Sequence, residues 1–136
     1  MRVRAAEPAD VELICSLIVE LATYERSTEQ VTGTPELLAD ALFGPHPAAE
    51  ALIAELDEPV AFALFHANFS TWECRAGIWL EDLSVPPEHR RTGVGRALLA
   101  EVAAIAVARG CARLEWAALD WNTQALDFYE RLGHDG

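Results

Sequence analysis

The stretch Glu88-His-Arg-Arg-Thr-Gly-Val-Gly-Arg96 lies between an apolar run typical of a β-strand and a run with helical apolar spacing. Its glycines allow the backbone to approach another group closely. The first N–H groups of a helix that begins near Val94 have no intrahelical acceptor and lie at the positive end of the helix dipole. The stretch therefore predicts a strand–loop–helix junction whose backbone groups bind an anion such as a pyrophosphate.

The charge of this loop is opposite to that of the chain. Ten basic residues, all arginines, are set against 22 acidic ones, giving a net charge of −12, yet Arg90, Arg91 and Arg96 cluster beside Gly93 and Gly95. An acidic chain is a poor nonspecific binder of nucleic acid, which depends on Lys and Arg to neutralise phosphates. The acidity would attract cationic small molecules, although solubility alone also explains it.

Two common phosphate-binding motifs do not fit the loop. The dinucleotide fingerprint needs a third glycine at position 98, which is Leu98, and the P-loop needs a lysine, which the chain lacks. The pattern that remains is Arg90-x-x-Gly93-x-Gly95. By itself this short pattern is also compatible with a loop that only caps a helix.

Length and composition predict one domain, residues 1–136, in the cytoplasm. No apolar run approaches the roughly 18 residues of a membrane span, so we expect no membrane partner. An odd number of cysteines in mostly apolar contexts favours free thiols. We expect no metal site, because the four histidines lack ligand spacing with one another or with the cysteines. The cysteines are Cys15, Cys74 and Cys111, and the histidines are His46, His66, His89 and His134.

Apolar periodicity and turn residues predict nine elements in the order β-α-α-β-β-β-α-β-α. The first helix opens at Pro8, the second is capped by Thr34 and ends at Gly44, and a polar loop spans residues 24–33 between them. The third helix ends at Gly110, and the last is capped by Asn122 and closed by Gly133. The predicted strands are residues 2–5, 50–56, 60–69, 76–85 and 112–119. This order predicts an α/β domain of the α+β type, with a mixed, mostly antiparallel sheet flanked by helices.

Beyond the loop, several separated segments resemble the GNAT superfamily of N-acetyltransferases, and within it the diamine (spermidine/spermine) N-acetyltransferase branch. They cover nearly the whole chain in the family's order. The segments are Leu21-Ala-Thr-Tyr-Glu25, Phe43-Gly-Pro-His-Pro47, Trp79-Leu-Glu-Asp-Leu-Ser-Val85, Arg91 to Arg96, and Trp121-Asn122 with Phe128-Tyr-Glu-Arg-Leu-Gly133. Family members continue into at least one more strand, whereas this sequence stops three residues after Gly133. The strand at residues 112–119 would then lie at an exposed edge, and either the reading frame is truncated or a partner covers this edge.

The resemblance implies acetyl-CoA as cosubstrate and assigns residues to its parts. The backbone of residues 83–85 would bond the pantetheine arm where the strands splay, and Asn122 would touch the same arm while capping its helix. Tyr129 would protonate the departing thiolate, because an ordinary tyrosine with a pKa near 10 is protonated at neutral pH. The residues implied for acetyl-CoA are Leu83, Ser84, Val85, Arg90, Arg91, Thr92, Gly93, Val94, Gly95, Arg96, Asn122 and Tyr129.

The acceptor side of the implied site is acidic. Glu81 would bind the amine and accept its proton through water, with Asp82, Tyr24 and Glu25 as further substrate-binding residues. Adjacent strand residues point to opposite faces, so only one of Glu81 and Asp82 is expected to face the substrate. The strand could also be an edge strand with solvated acids, and Tyr129 could be a core aromatic.

The resulting hypothesis is an acetyl-CoA-dependent N-acetyltransferase, with Tyr129 and Glu81 as catalytic residues, acting by direct attack in a ternary complex. Its acceptor would be a primary amine of a small cationic molecule, a polyamine or diamine ahead of a lysine-like amino acid. The alternatives are a protein or peptide N-acetyltransferase and a noncatalytic acyl-CoA-binding regulatory module, because a fold does not fix a substrate. We also expect a homodimer.

Overall fold

The computed structural model describes residues 1–24, 26 and 28–116. The strands are β1 (Arg2–Ala5), β2 (Glu50–Glu55), β3 (Pro59–Ser70), β4 (Arg75–Ser84) and β5 (Leu114–Trp116). The α-helices are α1 (Val11–Tyr24), α2 (Pro35–Phe43) and α3 (Val94–Ala108). Short 3-10 turns occupy Pro8–Asp10, Thr28–Gln30 and Pro87–His89. The predicted order is confirmed for these elements; residues 117–119 of the last predicted strand and the helix after Asn122 lie outside the described residues.

The five strands form one mixed sheet in the order β1-β2-β3-β4-β5. The first four strands pair antiparallel, and β5 pairs parallel to β4 from Ile78–Leu114 to Leu80–Trp116. The parallel pairing follows from the crossover through α3, which returns the chain to the same end of the sheet. The predicted fold class, a mostly antiparallel sheet with helices on its faces, is confirmed.

Alternating side chains of the central strands pack into two apolar layers on opposite faces of the sheet. The first layer lies between the sheet and α3, and it includes Leu52, Ala63 and Phe65 of the sheet with Val94, Leu98, Leu99 and Val102 of α3. The second layer lies between the sheet and the helices α1 and α2, and it includes Ile53, Phe62 and Leu64 of the sheet with Ile14 and Leu17 of α1 and Leu42 of α2. The helix stripes predicted from apolar spacing therefore face the sheet.

A β-bulge in β4 changes this alternation beside the candidate site. Phe65 pairs with Leu80 and Leu64 pairs with Asp82, so Glu81 is an extra residue with no partner on β3. Leu83 then packs with the α3 layer, and Asp82 lies opposite Leu64 on the α1/α2 face. A bulge re-aims the side chains that follow it, and here it keeps a carboxylate out of the α3 core.

Element ends follow the expected local chemistry. The Thr34 Oγ1 accepts a hydrogen bond from the Leu37 N–H at 3.2 Å, as an N-cap should. Gly110 has φ +68° just past α3, a left-handed conformation that costs glycine little. The loop predicted at residues 24–33 is shorter, since α1 runs to Tyr24 and a 3-10 turn follows at Thr28–Gln30.

A charged cluster near the N-terminus joins β1 to β2 and to the turn before α1. The Arg4 guanidinium donates to Asp10 at 2.7 and 2.9 Å and also to Glu55. Asp10 is buried, and its hydrogen bonds from Arg4 hold the pKa of the carboxyl below its usual range. The cluster was not predicted, because its members are far apart in the sequence.

Candidate active site

The loop between β4 and α3 has the backbone shape of an anion cradle. After the 3-10 turn Pro87–His89, Arg91 has φ +70° and Gly93 has φ +89° immediately before α3 begins at Val94. Left-handed residues between ordinary ones turn successive N–H groups toward one point, which makes a concave site for an anion. The predicted start of the helix is confirmed.

The N–H groups of this loop and of the first helical turn lack acceptors. Within residues 1–24, 26 and 28–116, five such donors have no hydrogen-bond partner, whereas the Ala97 N–H already bonds the Gly93 carbonyl at 3.0 Å. Clustered donors at the positive end of a 15-residue helix are suited to phosphate oxygens. The five donors belong to Arg91, Gly93, Val94, Gly95 and Arg96.

The three arginines around the cradle are exposed and unneutralised. No carboxylate in the described part of the chain pairs with Arg90, Arg91 or Arg96, although acidic residues outnumber basic ones by 22 to 10. Arg109, by contrast, is held by Glu50 at 2.6 and 2.7 Å. The cradle thus keeps a local positive charge that an incoming anion would neutralise.

The end of β4 lies directly against the cradle. A Cβ added at Gly95 would lie 3.3 Å from Val85 Cγ2, which is tighter than nine in ten real Cβ contacts, and the Arg90 Nε donates to the Val85 carbonyl at 3.4 Å. In the part of the chain that the structure describes, the β4–β5 ladder ends at Leu80. The β5-facing edge of residues 83–85 therefore has no ladder partner there and is available to an extended ligand.

Glu81, at the bulge, presents a carboxylate that is fixed and accessible. Its Oε2 accepts a hydrogen bond from the Trp79 Nε1 at 3.0 Å and lies 3.7 Å from the His66 Nε2. The Glu81 side chain is 54% exposed. Because strands rise about 3.3 Å per residue, Glu81 lies roughly 13 Å from Val85, the residue just after β4, so a ligand that spans the cradle and this carboxylate must be extended.

The structure corrects one expectation about this pair of acids. Alternation predicted that Glu81 and Asp82 point to opposite faces, but this is wrong, because Glu81 is the bulged residue. Its carboxylate reaches Trp79 and His66, and His66 shares the face of Leu64 and its partner Asp82. Asp82 is half-buried on that face, so both acids lie on the α1/α2 side of the sheet.

Of the other predicted site residues, some lie in the part of the chain that the structure describes and some lie outside it. Tyr24 is exposed at the last position of α1. Glu25, Asn122 and Tyr129 lie outside the described residues. His66 and Trp79 were missed as neighbours of Glu81; only the strand register, which the sequence does not display, brings them together.

No cluster of metal-ligating side chains occurs among the described residues. All three cysteines are free, and burial raises the pKa of the Cys15 thiol, with Glu36 and Glu12 adding to the rise. A raised pKa lowers the thiolate fraction that nucleophilic attack requires. Within the described residues, no helix is long and apolar enough to cross a membrane.

A mixed sheet, a loop suited to an anion at a strand–helix junction and an accessible carboxylate further along the same strand are features expected of a transferase that uses an acyl-CoA donor. The sequence profile of the acetyltransferase (GNAT) family matches residues 16–134. The chain therefore belongs to the GNAT acetyltransferase family, and it is an N-acetyltransferase. This family membership implies acetyl-CoA as the cosubstrate.

Individual relatives agree with this assignment. The chain is 39% identical to thialysine N-epsilon-acetyltransferase of Bos taurus, over 96% of this chain and 82% of the relative. It is 29% identical to L-ornithine N5-acetyltransferase of Arabidopsis thaliana, over 97% and 78%. Among solved structures, a mutant protein from Bacillus halodurans superimposes with a TM-score of 0.81 at 23% identity, over 98% of this chain and 92% of that one, which supports the fold alone.

Proposed function

We propose that the acceptor of this N-acetyltransferase is the terminal side-chain amine of a lysine-like amino acid such as thialysine or ornithine. One structural observation supports acetyl transfer as the reaction and indicates which residues take part. A cradle of N–H groups and arginines that have no acceptor or carboxylate partner among the described residues lies at the end of the same strand that presents the accessible Glu81 carboxylate. An extended acetyl-CoA held at one end by the cradle would bring its thioester toward the other end.

The cradle residues suit the pyrophosphate of the cosubstrate. The N–H groups of residues 93–96 would bond its oxygens, and Arg91 and Arg96 would neutralise its charge. The edge of residues 83–85, which has no ladder partner among the described residues, would bond the amide groups of the pantetheine arm as an added strand does. Acetyl-CoA supplies the activated acyl group, and the chain's own residues orient it and manage protons.

The reaction releases one proton per turnover. The substrate enters as an ammonium, which must lose a proton before its nitrogen attacks the thioester carbonyl. The C–N bond then forms, the C–S bond breaks, and the nitrogen loses a second proton while the thiolate gains one to leave as CoA thiol, so one proton is released overall. We assign the first proton transfer to Glu81, directly or through one water, and the last to Tyr129, as the family resemblance implies. Attack is direct, in a ternary complex, because no cysteine is placed for an acetyl-enzyme.

The choice of amine rests on the relatives. Thialysine acetyltransferases of Bos taurus, Sus scrofa and Mus musculus are 34–39% identical to the chain. A human spermidine/spermine acetyltransferase-like protein is 28% identical. This order reverses the one expected from charge alone. A polyamine remains the second candidate because the net charge of −12 and the acids at Glu81 and Asp82 would attract a multiply charged amine.

Initial rates of CoA release should be measured with thialysine, ornithine, spermidine and a peptide N-terminus, each at two salt concentrations. We expect the highest kcat/KM with thialysine or ornithine, and intersecting double-reciprocal lines when both substrates are varied. Preference for spermidine would move the assignment to the polyamine class. Preference for the peptide would make the protein a peptide acetyltransferase. Tight CoA binding without any turnover would indicate a noncatalytic module.

A further inference from the structure

We propose that His66 is a positioning residue that carries the substrate's proton from Glu81 to solvent. The inference rests on the proposed role of Glu81 and extends it to a residue on the neighbouring strand. It starts from the cross-strand pair His66–Trp79, both of which contact the same oxygen of Glu81.

The two contacts have different chemical character. The Trp79 indole N–H can only donate, so its 3.0 Å hydrogen bond fixes Oε2 without being able to take a proton. In the described part of the chain Oε1 has no donor, so it remains open to the substrate amine. His66 is the contact that can change protonation state.

The backbone sets which nitrogen of His66 is available. The Nδ1 lies 3.1 Å from the Ala67 carbonyl oxygen, which can only accept, so this contact requires a proton on Nδ1. Neutral His66 then carries its lone pair on Nε2, the nitrogen that is 3.7 Å from the Glu81 Oε2. This distance is longer than a hydrogen bond, but a side-chain rotation or one water closes it, and such contacts commonly shorten when substrate binds.

The arrangement provides a route for the substrate's proton from the active site to solvent. The ammonium gives its proton to the Glu81 carboxylate, which becomes a carboxylic acid. The acid passes the proton to His66 Nε2 and returns to the carboxylate form for the next substrate. His66, whose side chain is 38% exposed, releases the proton from Nε2 to water or buffer and is neutral again. The sequence needs no oxidant, metal or further reactant.

The other groups on this face do not replace His66. Asp82 lies beside Glu81 on β4, and Glu115 of β5 pairs in register with Trp79. Glu115 accepts a hydrogen bond from the Asn68 Nδ2 at 3.2 Å and lies 3.6 Å from the Arg113 Nε. The core layer on this side of the sheet contains the apolar side chains Ile53 of β2, Ile14 of α1 and Leu42 of α2. Among the described residues, His66 is the basic side chain that approaches Glu81.

The test compares His66→Gln, the exposed-histidine control His46→Gln, Glu81→Gln and the double variant, with thialysine and saturating acetyl-CoA. In dilute buffer at pH 7, His66→Gln should lower kcat about tenfold, a part of the effect of a general base. The KM for acetyl-CoA should not change. Raising the imidazole concentration should restore most of the rate, because a mobile base replaces the missing one. His46→Gln should behave like wild type, and the double variant should match Glu81→Gln within about twofold, because the two residues act in sequence.

The outcomes separate this proposal from the one on which it rests. If Glu81→Gln turns over slowly and His66→Gln turns over normally, the relay through His66 is wrong and Glu81 remains the base. A His66→Gln defect that imidazole does not restore, or that multiplies with that of Glu81→Gln, would also overturn it. Normal turnover of Glu81→Gln would remove the base assignment and the relay together, while amine acetylation itself would stand.

Discussion

Gly93 offers the sharpest test of the phosphate cradle, because charge can be changed there with little steric disturbance. A Cβ at this position would find Met1 Cε at 3.7 Å, an ordinary contact, so the cost of a side chain is conformational. At φ +89° that cost is about 1–2 kcal/mol for most residues and less for Asn and Asp. Gly93→Asn and Gly93→Asp are therefore a matched pair that differs in charge and not in shape.

The magnitude follows from Coulomb's law. A carboxylate about 5 Å from one phosphate charge is repelled by about 0.8 kcal/mol in water and about 3 kcal/mol at an effective dielectric constant near 20. We therefore expect Gly93→Asp to bind CoA about 4-fold to about 200-fold more weakly than Gly93→Asn. Its fold should be equally or slightly more stable, because a negative charge at a helix N-terminus is favourable.

Calorimetric titration with CoA measures the affinity, and thermal unfolding measures the stability of the same samples. The affinity difference should shrink as salt increases, because exposed charges are screened over about 8–10 Å. Equal CoA affinity of the folded Asn and Asp variants at low salt would show that no phosphate lies at Gly93, and the cradle assignment would be wrong.

Four further predictions concern other parts of the protein. Tyr129→Phe should lower kcat by about 10²–10⁴ with unchanged KM for acetyl-CoA, measured by steady-state CoA release. Because the Asp10 pKa is lowered in the folded state, its contribution to stability is present above about pH 4 and is lost as pH falls through the lowered pKa, so Asp10→Asn should flatten the decline of Tm in acid. Removing its partner with Arg4→Gln should destabilise the fold by about 3 kcal/mol in urea titrations, because a buried carboxylate loses its cation. If the acids beside the bulge bind the amine, its KM should rise with salt while kcat changes little.

Local sequence signals predicted most of the fold. The strand and helix positions agree to within a few residues because apolar alternation and helical spacing report directly on which face is buried. The helix start at Val94 followed from Gly93, and the end of α3 followed from Gly110. These are positions where one residue type satisfies a local conformational need.

The parts that were not predicted depend on pairing between distant segments. The bulge at Glu81 is visible only in the register of β3 against β4, and it invalidated the rule that neighbouring residues alternate. The same register brings His66 to Glu81, and tertiary packing brings Arg4 to Asp10 and Glu55. A single sequence carries no direct signal of such cross-strand contacts.

The central claim is that this chain transfers acetyl from acetyl-CoA to a side-chain amine of a lysine-like amino acid. The most direct measurement is one reaction that contains isotope-labelled acetyl-CoA with equimolar thialysine, ornithine, spermidine and an unblocked peptide, analysed by tandem mass spectrometry. We expect the label first on thialysine or ornithine, at the side-chain nitrogen and not at the α-amine. Label on the α-amine, on the peptide alone, or on none of the four acceptors would contradict the account.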